Sequence, residues 1–148
     1  MLGKSQSEQD RQCSRFKPHG AITVWPEGNL IRLELKGPFN REFFASLRSL
    51  NADLYADLNS QGPFVEIAVF HHSMLMSSAT IDEFGAVLLE RKSTGHAPLA
   101  TAWVISPEIK DAFVVLPHVT KKFEQAQRPF MWFRTLREAE EWVRGFLG

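Results

Sequence analysis

Cysteine is almost missing from this chain. Cys13 stands alone, so no intrachain disulfide can form and no C-x-x-C metal or redox spacing exists. Excess charge is missing as well: 17 Lys and Arg balance 17 Asp and Glu, which removes the non-specific electrostatic grip used on nucleic acid or acidic membrane. Nowhere do about 18 consecutive apolar residues occur to span a bilayer, and residues 1–12 hold no apolar run that could form a signal-peptide core. A reducing, cytoplasmic setting is therefore expected. The sequence also lacks a glycine-rich phosphate loop and a Gly-x-Ser-x-Gly nucleophile elbow. Residues 107–148 carry seven basic and six acidic residues, a mixed solvated surface without the basic stripe of a nucleic-acid binder.

What remains is an apolar, aromatic composition. The 148 residues are 44% hydrophobic and include 12 Phe and 4 Trp. A domain of this length buries roughly 68–70% of the surface its unfolded chain exposes, enough for a core without metal or disulfide staples. Residues 1–19, with four basic, two acidic and few apolar residues, read as a loose tail, and residues 20–148 as a single domain.

Within that domain the hydrophobic period changes repeatedly. Ile31, Leu33 and Leu35 alternate with Arg32, Glu34 and Lys36, the pattern of a half-exposed strand. Ala21–Trp25 precedes it across the turn formers Pro26-Glu27-Gly28-Asn29, which predicts an antiparallel hairpin. Three later runs, Phe64–Phe70, Leu99–Ile105 and Phe130–Phe133, are nearly continuously apolar, as in parallel strands covered on both faces. Between them, Phe43, Phe44, Leu47, Leu50, Leu54 and Leu58 fall on one stripe and predict a long amphipathic helix from Asn40 to Leu58. A second helix is predicted from Thr80, with Glu83 completing a capping box and Gly95 stopping it. Ser106-Pro107-Glu108 reads as the start of a third, which Pro117 breaks or kinks. Thr135 and Glu138 open the last, whose apolar face is Leu136, Ala139, Val143, Phe146 and Leu147.

The order β-β-α-β-α-β-α-β-α implies an α/β fold: a single mixed sheet of about five strands, an N-terminal antiparallel hairpin followed by parallel strands, with helices from right-handed crossovers. With that order, Gly37-Pro38-Phe39-Asn40 after the hairpin, Ala102-Trp103-Val104 in the fourth strand and Phe133-Arg134-Thr135…Glu138-Ala139…Trp142 at the end resemble the bacterial SpoIIAA-like family, a branch of the STAS fold. The resemblance covers roughly residues 20–147, and its motifs are structural. It implies a non-enzymatic module that binds a small molecule, a nucleotide, a lipid-like ligand or a protein partner. Members of this branch are also similar in shape to CRAL-TRIO lipid-exchange domains. STAS antagonists of anti-sigma factors carry a phosphorylatable serine in an Asp-Ser-Ser-Gly-like turn after the third strand. The matching turn here, His71-His72-Ser73-Met74-Leu75-Met76-Ser77-Ser78, has no acid before its serines and no glycine after them, so the role is not carried over to Ser77 or Ser78.

Ligands of mostly parallel sheets bind outside the carboxyl ends of the strands, which here gathers Phe39, Asn40, His71–Ser78, Ser106 and Arg134-Thr135 on one rim. Helix starts on that rim offer free N–H groups to an anion, unless the caps Asn40, Thr80, Ser106 and Thr135 use them, and Arg134 adds a formal charge. Adjacent histidines on a strand point to opposite faces, so His71 and His72 converge only where the chain has turned, and no metal is expected. Ser73, His72 and Asp82 lack an oxyanion partner, and no catalytic residue is assigned. The run Ser73-Met74-Leu75-Met76 is the most informative: an exposed Met-rich loop would fit an irregular apolar partner, whereas a loop folded back as the first helical turn would enter the core. Ala112–Leu116 poses the same choice between buried helix and hydrophobic lip.

Two functional readings result. One is a small apolar or amphipathic ligand, or a membrane surface, held at the rim by Phe39, Met74 and Met76 with Asn40, His71, His72, Ser73, Ser106 and Arg134 around a polar head. The other is a regulatory protein-interaction module of the anti-sigma-antagonist type without the usual phospho-serine. Neither needs a cofactor, and the hairpin leaves an edge strand that can pair across a homodimer.

Overall fold

A computed structural model describes residues 18–148 except Asn51, with the backbone alone for Ser49 and Leu50. The tail expected over residues 1–19 lies outside the described residues save for Pro18 and His19. Five strands form one sheet in the order β1-β2-β3-β4-β5. They are β1 (Ala21–Glu27), β2 (Leu30–Lys36), β3 (Val65–His71), β4 (Thr101–Ile105) and β5 (Phe130–Phe133). The first pair is antiparallel and the other three are parallel, as the sequence predicts. The hairpin turn is tighter than expected, because β1 runs on through Pro26 and Glu27. An edge strand tolerates a proline there, since its missing N–H can face solvent.

Each crossover moves one strand further in the same direction, so right-handed connections place every crossover helix on the same face. That layer holds α1 (Arg41–Leu50), α2 (Ala52–Ser60), α3 (Ser78–Thr94) and α4 (Ala112–Gln125), whereas α5 (Leu136–Arg144) covers the other face. The larger core lies under α1–α4, where Phe84, Trp103 and Phe123 interlock edge-to-face with ring centroids 5.6–5.8 Å apart. The smaller joins Val65, Ile67, Ala102 and Val104 to Ala139 and Val143 of α5. Central strands buried on both faces need not alternate, which is why β3 and β4 read as apolar runs.

Helix boundaries differ from expectation in four places. The stripe from Phe43 to Leu58 belongs to two helices, α1 and α2, with Asn51 outside the described residues. A 3.6-residue stripe reports which face is buried, and both helices bury the same side, with Tyr55 joining Leu58 in the core. The cap of α3 is Ser77, not Thr80: the Ser77 hydroxyl accepts from the Thr80 amide at 3.2 Å, and Thr80 itself is buried. Ser106 does not cap α4, which begins six residues later behind Asp111. The Ser106 hydroxyl instead accepts from the Glu108 amide within a turn. Pro117 neither breaks nor ends α4. An interior proline costs about 3 kcal/mol; burial of Val115, Leu116, Val119 and Phe123, worth about 1.5–3 kcal/mol each, outweighs it.

The remaining caps are as expected. Gly95 ends α3 in the left-handed region at φ 76°, its N–H reaching the Arg91 and Lys92 carbonyls. Thr135 caps α5 through the Glu138 amide at 3.3 Å. Phe146, expected in the core, is 39% exposed and packs on Trp142 in the final 3-10 turn, where helical spacing no longer applies.

Candidate functional site

The carboxyl ends of β2–β5 form the rim that the sequence points to, and most of its residues are committed to one another. Asn40 caps α1, its Oδ1 accepting from the Phe43 amide at 3.1 Å and the His19 amide at 2.7 Å. Phe39 is a core residue, packed on Phe43 and Phe44, and therefore no surface contact for a ligand. Its backbone N–H donates to the Leu75 carbonyl, which draws the β3–α3 loop against the corner after β2. The approach is close enough to demand glycine at 37, where a Cβ would lie 2.1 Å from the Ser73 carbonyl oxygen.

The loop resolves the question posed by its methionines. Met74 and Met76 are buried, at 0% and 7% exposure, and Leu75 between them is 51% exposed. Of the two outcomes the sequence leaves open, both methionines take the buried one, so neither Met74 nor Met76 is a surface contact for a ligand. Asp111 anchors the loop at this point: its carboxylate accepts from the Ser73 hydroxyl at 2.6 Å and the Met74 amide at 3.0 Å, where the Met74 side chain enters the core. Ser73, buried and bonded to Asp111, has no hydrogen bond to His72, and Asp82 pairs with Lys122 at 3.1 Å. A Ser-His-acid set is not assembled.

His71 ends β3 and its Nε2 lies 2.8 Å from Glu34 Oε1. His72 follows at φ 70°, in the left-handed region, and both histidines line one groove with Ser106, Glu108, Val69 and Val104. Among the described residues no three His, Cys, Asp or Glu side chains are placed to hold a metal ion. Arg134 donates to the Ile105 carbonyl at 3.3 Å and lies over the rings of Trp132 and Phe113, 4.9 and 5.7 Å from their centroids. Phe113 and Val114, on the first turn of α4, are 60% and 66% exposed, while Ala112, Val115 and Leu116 are buried. The lip is real, but only two of its five residues face outward. With Leu75 they form an apolar edge carried by two segments that Asp111 ties together.

The strand order has a second consequence for the rim. A crevice at a topological switch point needs crossovers that diverge to opposite faces, and β1-β2-β3-β4-β5 contains no such reversal. What the rim offers in place of such a crevice is an open groove of about 470 Å³ beside the histidines and an apolar edge.

At the opposite end of the parallel strands lies a charged cluster absent from the sequence expectations. Glu66, the only charge in the Phe64–Phe70 run, is buried. The Tyr55 hydroxyl donates to its Oε2 and the Thr101 hydroxyl to its Oε1 at 2.9 Å. Arg128 Nη1 lies 3.6 Å from Glu66 Oε1 and donates to Thr101 Oγ1 at 3.3 Å. The Arg91 guanidinium stacks 4.2 Å from the Tyr55 ring centroid and donates to the Leu47 carbonyl at 3.3 Å. Arg91 sits in the last turn of α3, where the helix dipole favours a cation by about 0.3–1 kcal/mol. Burying an ion costs several kcal/mol, so the dipole alone does not compensate it. The signal in the sequence was the lone acid in a strand read as covered on both faces: such a charge must be paired.

Burial holds the Tyr55 hydroxyl well above its ordinary pKa, and the Glu66 carboxylate reinforces the effect. Burial likewise pulls the Arg128 guanidinium down, against the opposing pull of Glu66. The folded protein therefore retains the Tyr55 proton above the unfolded pKa of 10.0; this contribution to stability is intact below pH 10 and is lost as pH rises further. Tyr55 is the only tyrosine, so the near-ultraviolet absorbance of tyrosinate follows it alone. Tyrosinate should appear only together with loss of far-UV circular dichroism. A reversible ionisation centred at pH 10 in the folded protein would show the hydroxyl to be solvated.

No protein-family model matches the chain, and no curated protein matches it. No helix among the described residues is long and apolar enough to cross a membrane. Among solved structures, the chain is similar in fold to an uncharacterized protein of the DUF3478 family with a SpoIIAA-like fold from Shewanella loihica PV-4. The two are 13% identical, with a TM-score of 0.49 over 88% of this chain and 98% of that one.

Proposed function

We propose that this protein is a non-enzymatic binding module that takes an amphipathic molecule or a lipid surface at the carboxyl-end rim of its sheet. The observation that carries the reading is the apolar edge of Leu75, Phe113 and Val114, each more than half exposed. Large apolar side chains exposed on two neighbouring segments, which the half-buried Asp111 carboxylate joins through Ser73 and Met74, are costly to leave in water. Arg134 and Lys110 supply cationic groups beside the edge for a polar or anionic head, and the His71–His72–Ser106 groove supplies hydrogen-bonding groups.

Flotation with phosphatidylcholine–phosphatidylglycerol vesicles, and titration with lysophosphatidylcholine, test this directly. The wild type should bind, and a Leu75→Ser, Phe113→Ser, Val114→Ser variant should bind about tenfold more weakly or worse. Its melting temperature should change little, because these side chains lie outside the core. A wild type that ignores both probes would remove the reading.

A protein-docking surface is the second reading, favoured by the Phe113–Trp132–Arg134 stack, since exposed aromatics and arginine are the side chains that anchor protein interfaces. Capture of one defined partner by the wild type, lost in the same variant while vesicle binding is absent, would support it.

A further inference from the structure

A cavity of about 70 Å³ lies between the sheet and the helix layer, with its polar end remote from the rim. Leu33, Phe44, Leu88 and Trp103 make apolar walls, and Tyr55, Glu66, Arg91 and Arg128 close one end with polar groups. The volume is a little more than the share of two liquid waters, and about half that of an engineered cavity that binds benzene. It suits a ligand of about four heavy atoms.

Two independent observations give that ligand a charge. Arg91 and Arg128 contribute two positive charges and Glu66 a single negative one, so the interior cluster carries a net charge of +1 that no side chain in it balances. Arg128 is only 8% exposed, and of its three nitrogens Nη1 alone has partners; Nε and Nη2 are buried with none. A guanidinium presents five N–H donors in a planar fork matched to a carboxylate.

We infer that this polar end binds a short-chain monocarboxylate, with its charge held by Arg128 and its alkyl group against the Phe44 and Trp103 wall. Rotation of the guanidinium toward the cavity presents the two buried donors, and a bidentate guanidinium–carboxylate pair then satisfies them and cancels the excess charge together. The apolar wall selects against inorganic anions, which gain nothing from it. Access runs past Arg91, which with Val87 also lines a surface groove of about 140 Å³ beside Arg48 and His96. Displacing the Arg91 guanidinium from the Tyr55 ring joins the two spaces. Its polar end, Tyr55, Glu66, Arg91 and Arg128, shares no residue with the rim groove or with Leu75, Phe113 and Val114, so it stands or falls apart from the rim reading.

The test uses the full chain at neutral pH and constant ionic strength, with acetate and propionate as probes and chloride as the reference anion. Saturable chemical-shift changes are expected at the Arg128 Nε–H and the Phe123 amide, and none at the His72 amide. At ten times the dissociation constant the melting temperature should rise by about 3–6 °C. Arg128→Met should abolish both responses. If that variant does not fold, Arg91→Met provides the second arm and should weaken binding while leaving the Arg128 resonance responsive. The Leu75→Ser, Phe113→Ser, Val114→Ser variant should respond as the wild type does. No saturable change at Arg128 in the wild type, an equal response to chloride, or an unaltered response in folded Arg128→Met would each overturn the assignment.

Discussion

Glu66→Leu is expected to lower the unfolding free energy by about 3–5 kcal/mol, read from urea denaturation at neutral pH. In a domain of this size that corresponds to a fall of roughly 10 °C or more in melting temperature. The side chain removed is small and the loss is large because of what stays behind. Arg128 and Arg91 would remain inside without the carboxylate, and the Tyr55 and Thr101 hydroxyls would lose their acceptor. Adding Arg128→Met to Glu66→Leu should recover part of the loss, since an apolar pair avoids the cost of an unpaired buried cation. A decrease below about 1 kcal/mol in the single variant would show that Glu66 does not hold the cluster.

Glu66 also marks the limit of sequence reading in this chain. The alternation in β2 and the apolar runs of β3 and β4 made the sheet legible, because side-chain period and strand burial are tied by geometry. Gly95 and Thr135 made two helix ends legible, because each supplies a local conformation or acceptor that a terminus requires. Partnerships between distant elements are a different matter. No local pattern links Glu66 to Arg128, 62 residues later, or Ser73 to Asp111. The Met74-Leu75-Met76 triplet shows the same limit at higher resolution. Composition located an apolar loop, but which of its residues faces water depends on a carboxylate 38 residues from Ser73.

Asp111→Ala carries the second large effect, a loss of about 3 kcal/mol. It removes two hydrogen bonds to a charged acceptor and leaves the Ser73 hydroxyl and the Met74 amide, both in a crowded loop, without it. Two further consequences separate this from generic destabilisation. Hydrogen exchange at the Met74 amide should accelerate more than exchange in β3, because the loop is released before the sheet opens. Amphiphile binding at the rim should weaken although Leu75, Phe113 and Val114 are unchanged, because the segments that carry them are no longer tied. Asp111→Asn keeps an acceptor oxygen for the Met74 amide and should lose less than the alanine variant. Equal exchange rates at Met74 in wild type and Asp111→Ala would show that the loop is held by other contacts.

The plain numerical order of the strands also bears on how the chain is assembled during synthesis. Each strand after the first pairs with the one made just before it, and no strand inserts between two that are already joined. The growing sheet always presents one open edge to the next segment leaving the ribosome, with its crossover helix already made to cover it. Among the described helices, α5 is the one that must reach the other face, after β5 is made. The hydrophobic surface of Val65, Ile67 and Val104 therefore waits for α5, which follows all five strands, and a nascent protein truncated before Ala139 would display it.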